Sequence, residues 1–192
     1  MSHFFAYLAR MKFIRRWGLM RNTHQENIQE HSLQVATIAH ALAVIRNRLF
    51  DGQVDPARTA LLALYHDASE VITGDLATPI KNFNPRIKTA YHEIEIVARQ
   101  KLFDMLPQAL QPDFQPLFFQ ADDDREHWRL VKAADKICAY LKCLEESKAG
   151  NLEFSKAEKT IERDIARMGL PEVAYFVAQF IPSFSLTLDE LN

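Results

Sequence analysis

Apolar residues recur along the chain with the spacing of α-helices. In the segment from about Asn27 to Arg48, the apolar stripe runs through Val35, Ile38, Leu42 and Ile45, at intervals of three and four residues. No Asn-Gly or Asp-Gly turn joins two runs of alternating apolar and polar residues. The pattern therefore predicts an all-α fold.

Capping and breaking residues mark where the helices begin and end. Asp55-Pro56 predicts the start of a helix that ends at His66-Asp67, and Asn84-Pro85 predicts the start of a helix that reaches about Met105. The segment from Gly74 to Lys81 breaks the pattern and is predicted to be a loop. Further helices are predicted over Phe4–Lys12, Asp122–Ala149, Glu153–Met168 and Glu172–Phe180, with a turn over Arg15–Arg21 and a C-terminal tail.

Length and composition indicate a single soluble domain over residues 1–192. Hydrophobic residues make up 48% of the 192 residues and charged residues 25%, which is typical of globular proteins. The net charge of −2 argues against a general nucleic-acid-binding protein, although a small anionic substrate needs only a local basic pocket.

The sequence also gives an expectation for the cellular compartment of the protein. Cys138 and Cys143 are five residues apart on a predicted helix, so their side chains point in different directions and no disulfide is expected between them. No apolar run approaches the ~18 residues of a membrane span, and the basic N-terminal stretch lacks the layout of a signal peptide. We expect a cytoplasmic protein that does not contact a membrane.

Two adjacent polar residues, His66 and Asp67, end an apolar helical run. Glu70 follows them at i+4 and i+3, so its side chain can lie on the same face. Charged groups on such a face are costly to bury unless they are paired or bound to a metal ion. Taken alone, such a pair is more often a helix end with a capping acid.

Two further polar residues lie on predicted core faces. His31 lies four residues before Val35 on its stripe, and Asp135 lies four residues after Val131 on the buried face of the helix Asp122–Ala149. Each of them alone is commonly structural. Together with His66 and Asp67 they suit a mixed nitrogen and oxygen site for one divalent ion such as Mn, Fe, Co, Ni, Cu or Zn. Four protein ligands leave positions for water and substrate, as catalysis requires.

In this order, His31, His66-Asp67 and Asp135 match the H…HD…D pattern of the HD-domain metal-dependent phosphohydrolases. The chain resembles one branch more closely, the bacterial YfbR-type 5′-deoxynucleotidases, over nearly its whole length. Small departures, such as Ala77, do not touch the motif residues. The similar stretches are Ser2–Ala6, Arg16-Trp17, Glu26-Asn27, Glu30–Ala36, Tyr65–Val71, Thr73–Leu76, Thr78-Pro79, Leu130–Lys136 and Cys138–Glu146.

The resemblance implies a single HD-domain helical bundle with a metal site between its core helices. It implies hydrolysis of 2′-deoxynucleoside 5′-monophosphates to deoxynucleoside and phosphate, one divalent transition-metal ion (Co, Mn, Cu, Zn or similar) and a homodimer. The implied metal ligands are His31, His66, Asp67 and Asp135, the implied acid–base residues are Glu70 and Asp75, and the implied selector for the deoxy sugar is Arg16-Trp17. We expect the substrate to contact Arg16, Trp17, Thr78, Pro79 and Lys81, together with His31 and Asp135.

The chemistry of these side chains agrees with that activity. A partly desolvated Glu70 can hold a proton near neutral pH, and Asp75 can orient or deprotonate the attacking water, although either carboxylate suits either role. Arg16 can pair with a phosphate through two N–H groups, and Lys81 is a weaker candidate for the same contact. Trp17 against the sugar would leave no room for a 2′-hydroxyl.

Each assignment has a structural alternative. Trp17 can close the core over the first helix, Asp75 can cap the turn after Gly74, and Lys81 more often would be solvated. Glu30, next to His31, either orients that histidine or lies on the solvated helix surface.

Two other functions remain open. One is an HD phosphohydrolase that acts on another nucleotide, a deoxynucleoside triphosphate or a cyclic nucleotide. A triphosphate site would need more cations than Arg16, Arg21 and Lys81. The other is a non-catalytic nucleotide-binding module, which would gain nothing from Glu70 and Asp75. For a dimer surface, the candidates are the C-terminal aromatic residues Tyr175, Phe176, Phe180 and Phe184.

Overall fold

The long helix α2 (Ile28–Leu49) lies at the centre of the fold in the computed structural model, which describes residues 1–191. It packs against α3 (Pro56–Tyr65), α8 (Arg125–Lys148) and α10 (Pro171–Phe180). The stripe predicted from the sequence forms its buried face, and Leu42 is fully buried. The predicted second helix is therefore confirmed.

Shorter helices surround this centre, and the part of the chain that the structure describes contains no β-strand, so the all-α prediction is confirmed. An isolated antiparallel bridge joins Arg15 to Asn27. None of the described helices is both long enough and apolar enough to cross a membrane. The remaining α-helices are α1 (Phe4–Leu8), α4 (Glu70–Thr73), α5 (Thr78–Lys81), α6 (Pro85–Asp104), α7 (Gln111–Phe118) and α9 (Ser155–Ala166). The 3-10 segments are Ala9–Phe13, Gln108–Leu110, Asp122–Asp124, Leu152–Phe154, Ile181–Ser185 and Leu188–Leu191.

Side-chain caps start the helices where the sequence predicts them. Asp55 Oδ1 accepts hydrogen bonds from the backbone N–H groups at the start of α3, and Asn84 Oδ1 accepts one at the start of α6. At α2, Asn27 Oδ1 accepts from the N–H of Glu30 at 3.0 Å, and the Glu30 carboxylate accepts from the N–H of Asn27 at 3.1 Å. This reciprocal pair is a capping box, which satisfies two N–H groups that the helix leaves unpaired.

The structure corrects two details of the prediction and adds one, the local structure of the C-terminal tail. Thr78–Lys81, predicted to be part of a loop, forms one helical turn, because Pro79 has the backbone angle that a helix start needs. The C-terminal tail is partly folded, since Ile181 is 8% exposed. Phe176 is 6% exposed and belongs to the core, so it cannot form part of an exposed dimer surface. Cys138 and Cys143 are both free, and both are buried.

An aromatic cluster fixes the end of α3, where the His66-Asp67 pair begins. Tyr65 packs edge-on against Phe114 and Phe118, with ring centroids 6.1 and 5.9 Å away. Phe4, which is fully buried, packs on the same two rings at 5.4 and 5.8 Å. Edge-to-face pairs of this kind stabilise beyond their buried area, so α1 and α7 hold the residue next to His66 in place.

One face of α8 carries polar residues at helical spacing, and its last turns hold the segment that contains Trp17. The Glu146 carboxylate, 1% exposed, accepts hydrogen bonds from the N–H of Thr23 at 2.9 Å, from Thr23 Oγ1 at 2.7 Å and from Asn151 Nδ2 at 2.7 Å. Lys142 donates to the same carboxylate and to the carbonyl oxygen of His24. This buried ion pair therefore fastens the loop after Trp17 to α8.

We predict that Glu146→Gln destabilises the protein and that the effect depends on pH. Burial alone would raise the pKa of the Glu146 carboxyl, but hydrogen bonds from Lys142, Asn151 and Thr23 hold it well below its usual range. A carboxyl with a lowered pKa in the folded state stabilises above its unfolded pKa of about 4.3, and that stabilisation is lost as the pH falls below it. The substitution should lower the free energy of unfolding at pH 7 by about 3 kcal/mol, measured by urea denaturation, because it leaves Lys142 buried without its charge partner.

The matched control is Glu153→Gln, which removes an exposed carboxylate near the same loop. It should change the unfolding free energy by less than about 0.5 kcal/mol. Equal stability of wild type and Glu146→Gln at pH 7, or a difference that grows as the pH falls to 3, would contradict the role given to this carboxylate.

Candidate active site

Three potential metal ligands meet near the start of α2 and the end of α3. The ligand atoms of His31, His66 and Asp67 all lie within 4.8 Å of one another. Asp67 Oδ2 lies 3.0 Å from His66 Nε2 and 3.6 Å from His31 Nε2. His31 is fully buried, because the stripe of α2 turns it towards the core. The structure thus brings together the first three residues predicted from the sequence.

Asp135 joins this group from α8. Its Oδ1 lies 3.1 Å from His31 Nε2, and its side chain is 44% exposed, in contrast to the buried imidazoles. The cluster therefore has a closed side, formed by α2 and α3, and a side that is open to solvent at Asp135. All four predicted ligand residues are close together in the fold.

The donor atoms of this cluster fit a divalent transition-metal ion. His31 Nε2 and His66 Nε2 are buried and find no hydrogen-bond partner within residues 1–191, although carboxylate oxygens lie 3.1 and 3.0 Å from them. Ligands that bind one zinc-like ion at about 2.0–2.2 Å lie no more than about 4.4 Å apart, close to the separation seen here. Two imidazole nitrogens and carboxylate oxygens are donors that such ions accept.

The charges of the cluster are strongly coupled. Burial would lower the pKa of His66, but the neighbouring carboxylates Asp67 and Asp135 raise it to about 9. Burial would likewise raise the pKa of Asp67, but His66, His31 and Arg16 hold it well below its usual range. A proton on His66 and a divalent cation are alternative ways to offset these carboxylates, so cation binding displaces a proton.

Glu70 lies beside the cluster, at the start of α4, and is 5% exposed. Burial raises the pKa of its carboxyl to about 8, and the negative charges of Asp67 and Asp75 add to the effect, which Lys81 and Arg16 only partly oppose. One of its oxygens, Oε2, is buried and unpartnered among the described residues. Glu70 is therefore suited to carry and donate a proton near neutral pH.

Lys81 extends from α5 to Glu70. Its Nζ lies 3.4 Å from Glu70 Oε1 and 4.9 Å from the centre of the Tyr91 ring. Lys81 therefore forms an ion pair with Glu70, and its side chain is 27% exposed. Thr78 and Pro79, in the same short helix, are exposed and form no side-chain hydrogen bond with the clustered residues.

Asp75 is half-buried in the connection between α4 and α5. Its charge acts on Glu70, Lys81 and Arg16, which places it at the same site. The carboxylate forms no hydrogen bond within residues 1–191, so the alternative that it caps the turn after Gly74 finds no support in the structure.

Arg16 lies at the edge of the cluster, and its partner is a residue whose role the sequence did not reveal. Arg16 Nη1 lies 3.7 Å from Asp67 Oδ2, and Arg16 Nε donates to Glu26 Oε2 at 2.9 Å. Glu26 Oε1 also lies 3.8 Å from His31 Nδ1. The carboxylate that faces His31 is thus Glu26 and not Glu30, which is engaged in the capping box of α2. The pattern Asn-x-x-Glu at a helix start could have assigned Glu30 to the cap.

Trp17 follows Arg16 in an uncommon backbone conformation. Its φ angle is +57°, in the left-handed region that non-glycine residues seldom adopt. Its ring packs on Phe154, with ring centroids 5.3 Å apart, and its Nε1 is buried without a hydrogen-bond partner in the described part of the chain. The indole therefore packs against Phe154, and it belongs to the residue that follows Arg16 in the chain.

Comparisons with known proteins place the chain in a family. The family model described as 5′-deoxynucleotidase YfbR-like matches residues 3–184. A 5′-deoxynucleotidase of Yersinia pestis (strain Pestoides F) and one of Yersinia pseudotuberculosis serotype O:3 (strain YPIII) are each 58% identical over 192 residues, which is 100% of this chain and 98% of the relative.

Solved structures show the same fold. An HD-domain phosphohydrolase from Listeria innocua superposes with a TM-score of 0.83 at 22% identity, covering 95% of this chain and 88% of the other. The cyanophage S-2L HD phosphohydrolase DatZ, bound to dA and one catalytic Zn²⁺ ion, superposes with a TM-score of 0.66 at 22% identity, covering 95% and 96%. The resemblance seen in the motifs is confirmed: the fold is that of the HD-domain phosphohydrolases, and the chain belongs to the YfbR-like family of 5′-deoxynucleotidases, which are phosphoric monoester hydrolases.

Proposed function

We propose that the protein hydrolyses 2′-deoxynucleoside 5′-monophosphates to deoxynucleoside and phosphate, with one divalent metal ion held by His31, His66, Asp67 and Asp135. The observation that carries this proposal is the convergence of two buried imidazole nitrogens and two carboxylates on one site. The names of the Yersinia relatives support the substrate class, and the zinc ion and dA bound to DatZ support a metal and a deoxynucleoside at this kind of site.

We assign phosphate binding to Arg16. Phosphoryl transfer depends on positioning and on neutralising the charge of the transferred group, rather than on covalent help from the protein. Glu26 holds the Nε of Arg16, which leaves the two terminal amino groups of the guanidinium for phosphate oxygens. A divalent ion bound beside it would polarise a phosphoryl oxygen and lower the pKa of its bound water.

Proton transfer falls to Glu70 and Asp75. The leaving group is a sugar 5′-oxygen, which leaves poorly unless it is protonated. We assign the proton donor to Glu70, because its carboxyl is buried and has a raised pKa, whereas Asp75 is only half-buried. Asp75, which is more open, then orients the attacking water. Lys81 holds Glu70 in position through its 3.4 Å contact.

Selection of the deoxy sugar falls to Trp17. The indole, which packs on Phe154 and belongs to the residue next to Arg16 in the chain, would place an apolar surface beside the bound phosphate. A ribose 2′-hydroxyl against that surface would lose its hydrogen bonds to water and gain none. The proposal also includes contacts from Thr78 and Pro79 to the bound nucleotide, which would bring the exposed side of α5 to the substrate.

Metal identity and assembly complete the proposal. The ligand set is permissive, so Co, Mn, Cu and Zn all suit it, and availability decides among them. We propose a homodimer that uses the exposed C-terminal aromatic residues Tyr175, Phe180 and Phe184, which are 37%, 45% and 37% exposed.

We predict that phosphate release from dAMP requires a transition metal and Glu70. Protein stripped with a chelator should be inactive and should regain activity when Co²⁺, Mn²⁺ or Zn²⁺ is added. Glu70→Gln should lower kcat by about 10²–10⁴-fold, because it removes the proton donor, while the metal content measured by mass spectrometry stays the same. Glu93→Gln, which changes an exposed carboxylate, is the control and should be as active as wild type.

Phosphate release is also measured with AMP, dATP and 3′-dAMP, to distinguish the proposed activity from the alternative functions. Binding of dAMP without release of phosphate, with every metal tried, would favour a non-catalytic module. Wild-type activity of the Glu70→Gln variant would show that Glu70 is not the proton donor.

We predict that Trp17→Ala reduces the preference for dAMP over AMP. The ratio of the two kcat/KM values should fall by about 10–100-fold, chiefly because AMP becomes a better substrate. Leu19→Ala, which truncates an exposed residue of the same segment, should leave the ratio unchanged. An unchanged ratio in the Trp17 variant would assign the selection to other residues.

A second candidate function, hydrolysis of a deoxynucleoside triphosphate, is favoured by a cleft beside His66. The cleft measures about 210 Å³, and the residues that line it within 1–191 include Arg99, Lys132 and His92 but no carboxylate. Glu95 offsets part of this charge, since it lies 3.7 Å from Arg99. Turnover of dATP that exceeds turnover of dAMP and falls in an Arg99→Met/Lys132→Met variant would support this candidate.

A further inference from the structure

The carboxylate of Glu26 lies between a metal-ligand candidate and the phosphate-binding arginine. Its Oε2 accepts from Arg16 Nε at 2.9 Å, and its Oε1 lies 3.8 Å from His31 Nδ1. The side chain of Glu26 is 13% exposed, that of Arg16 is 12% exposed and that of His31 is 0% exposed. Each oxygen of one shielded carboxylate thus faces a different part of the active site.

The backbone fixes Glu26 in this place. The N–H of Arg16 donates to the carbonyl oxygen of Glu26 at 3.0 Å, and the N–H of Ile28 donates to the carbonyl oxygen of Ile14 at 3.0 Å. These two bonds form the antiparallel bridge that joins the segments before α2. Because the bridge ends where α2 begins, Glu26, Arg16 and His31 are held in one rigid arrangement.

The two nitrogens of His31 face different surroundings. Nε2 faces Asp67 and Asp135, so it is the nitrogen directed at the metal site. When Nε2 binds a metal ion, the imidazole proton must be on Nδ1. Nδ1 is buried and has no hydrogen-bond partner in residues 1–191. The negative charge of Glu26 favours a proton on Nδ1, and this tautomer leaves the lone pair of Nε2 free for the metal.

The second oxygen of Glu26 acts on Arg16. A charge-assisted bond to Nε fixes the plane of the guanidinium group. With Nε occupied, only the terminal amino groups remain for other partners, and Nη1 already lies towards Asp67 at 3.7 Å. The same carboxylate therefore sets the orientation of a cation that has to meet a phosphate beside the metal.

We propose that Glu26 is a positioning residue that couples the metal site to the phosphate site. One oxygen sets the tautomer and orientation of His31, and the other sets the orientation of Arg16. This inference rests on the proposed function, because it takes the roles of His31 and Arg16 from it. It predicts that loss of Glu26 affects two measurable properties, metal affinity and substrate affinity, through two different residues.

The test is a pair of double-mutant comparisons with Glu26→Ala and Arg16→Met. The dissociation constant for Co²⁺ or Zn²⁺ is measured without substrate, by competition with a chromophoric chelator. Glu26→Ala should weaken metal binding by about 10–100-fold, both in the wild-type and in the Arg16→Met background, because this effect passes through His31. It should also raise the KM for dAMP in the wild-type background and cause no further rise in the Arg16→Met background.

Glu30→Gln is the matched control. It removes one negative charge near the same histidine, and glutamine preserves the capping box. Its metal affinity and KM should equal those of wild type. Glu26→Gln keeps the volume of the side chain and a neutral acceptor, so it should give an intermediate loss of metal affinity and serves as the test if Glu26→Ala does not fold.

Three outcomes separate the possibilities. Unchanged metal affinity in folded Glu26 variants would overturn the inference and leave the proposed function intact. KM effects of Glu26→Ala and Arg16→Met that simply add would overturn the link to Arg16. A wild-type protein that binds no metal would overturn the proposed function, and this inference with it.

Discussion

Charge buried between apolar helices is the constraint on which this structure depends. His31 is fully buried, and Asp67 and Glu70 lie beside it against surfaces that the hydrophobic core provides. Carboxylates in such a place are unfavourable unless a cation offsets them. The protein supplies part of this compensation with Arg16, Lys81 and a raised pKa at His66, and a divalent ion would supply the rest. The buried negative charge that destabilises the folded protein at this site also favours the binding of a cation.

Helix α8 connects the parts of this site. Trp128, Lys132, Asp135, Lys142 and Glu146 follow one another at intervals of three, four and seven residues, so they share one face. The N-terminal part of that face lines the cleft beside His66, the middle carries Asp135, and the C-terminal part holds the loop after Trp17. A single helix therefore connects Asp135, in the cluster, to the loop that follows Trp17.

The sequence predicts much of this arrangement, because most of it follows helical periodicity. His31 and Asp135 stand out since each interrupts an apolar stripe, and His66-Asp67 stands out since it ends one. Helical periodicity does not predict the position of Glu26. This residue lies in an irregular segment, and its contact with Arg16 depends on an isolated β-bridge that leaves no periodic pattern in the sequence. The burial of Phe176 was likewise decided by tertiary packing, whereas the helical turn at Thr78–Lys81 follows from the backbone angle of Pro79. The family resemblance named the four ligand candidates but gave no role to Glu26, which faces one of them, His31, and binds Arg16.

Binding of one metal ion by His31, His66, Asp67 and Asp135 is the part of the proposed function on which the rest depends. Its most direct test is X-ray diffraction from crystals grown with Co²⁺, recorded at the cobalt absorption edge. One anomalous peak should lie about 2.0–2.3 Å from His31 Nε2, from His66 Nε2 and from carboxylate oxygens of Asp67 and Asp135. A peak that lies elsewhere, or no peak from protein that binds cobalt in solution, would contradict it.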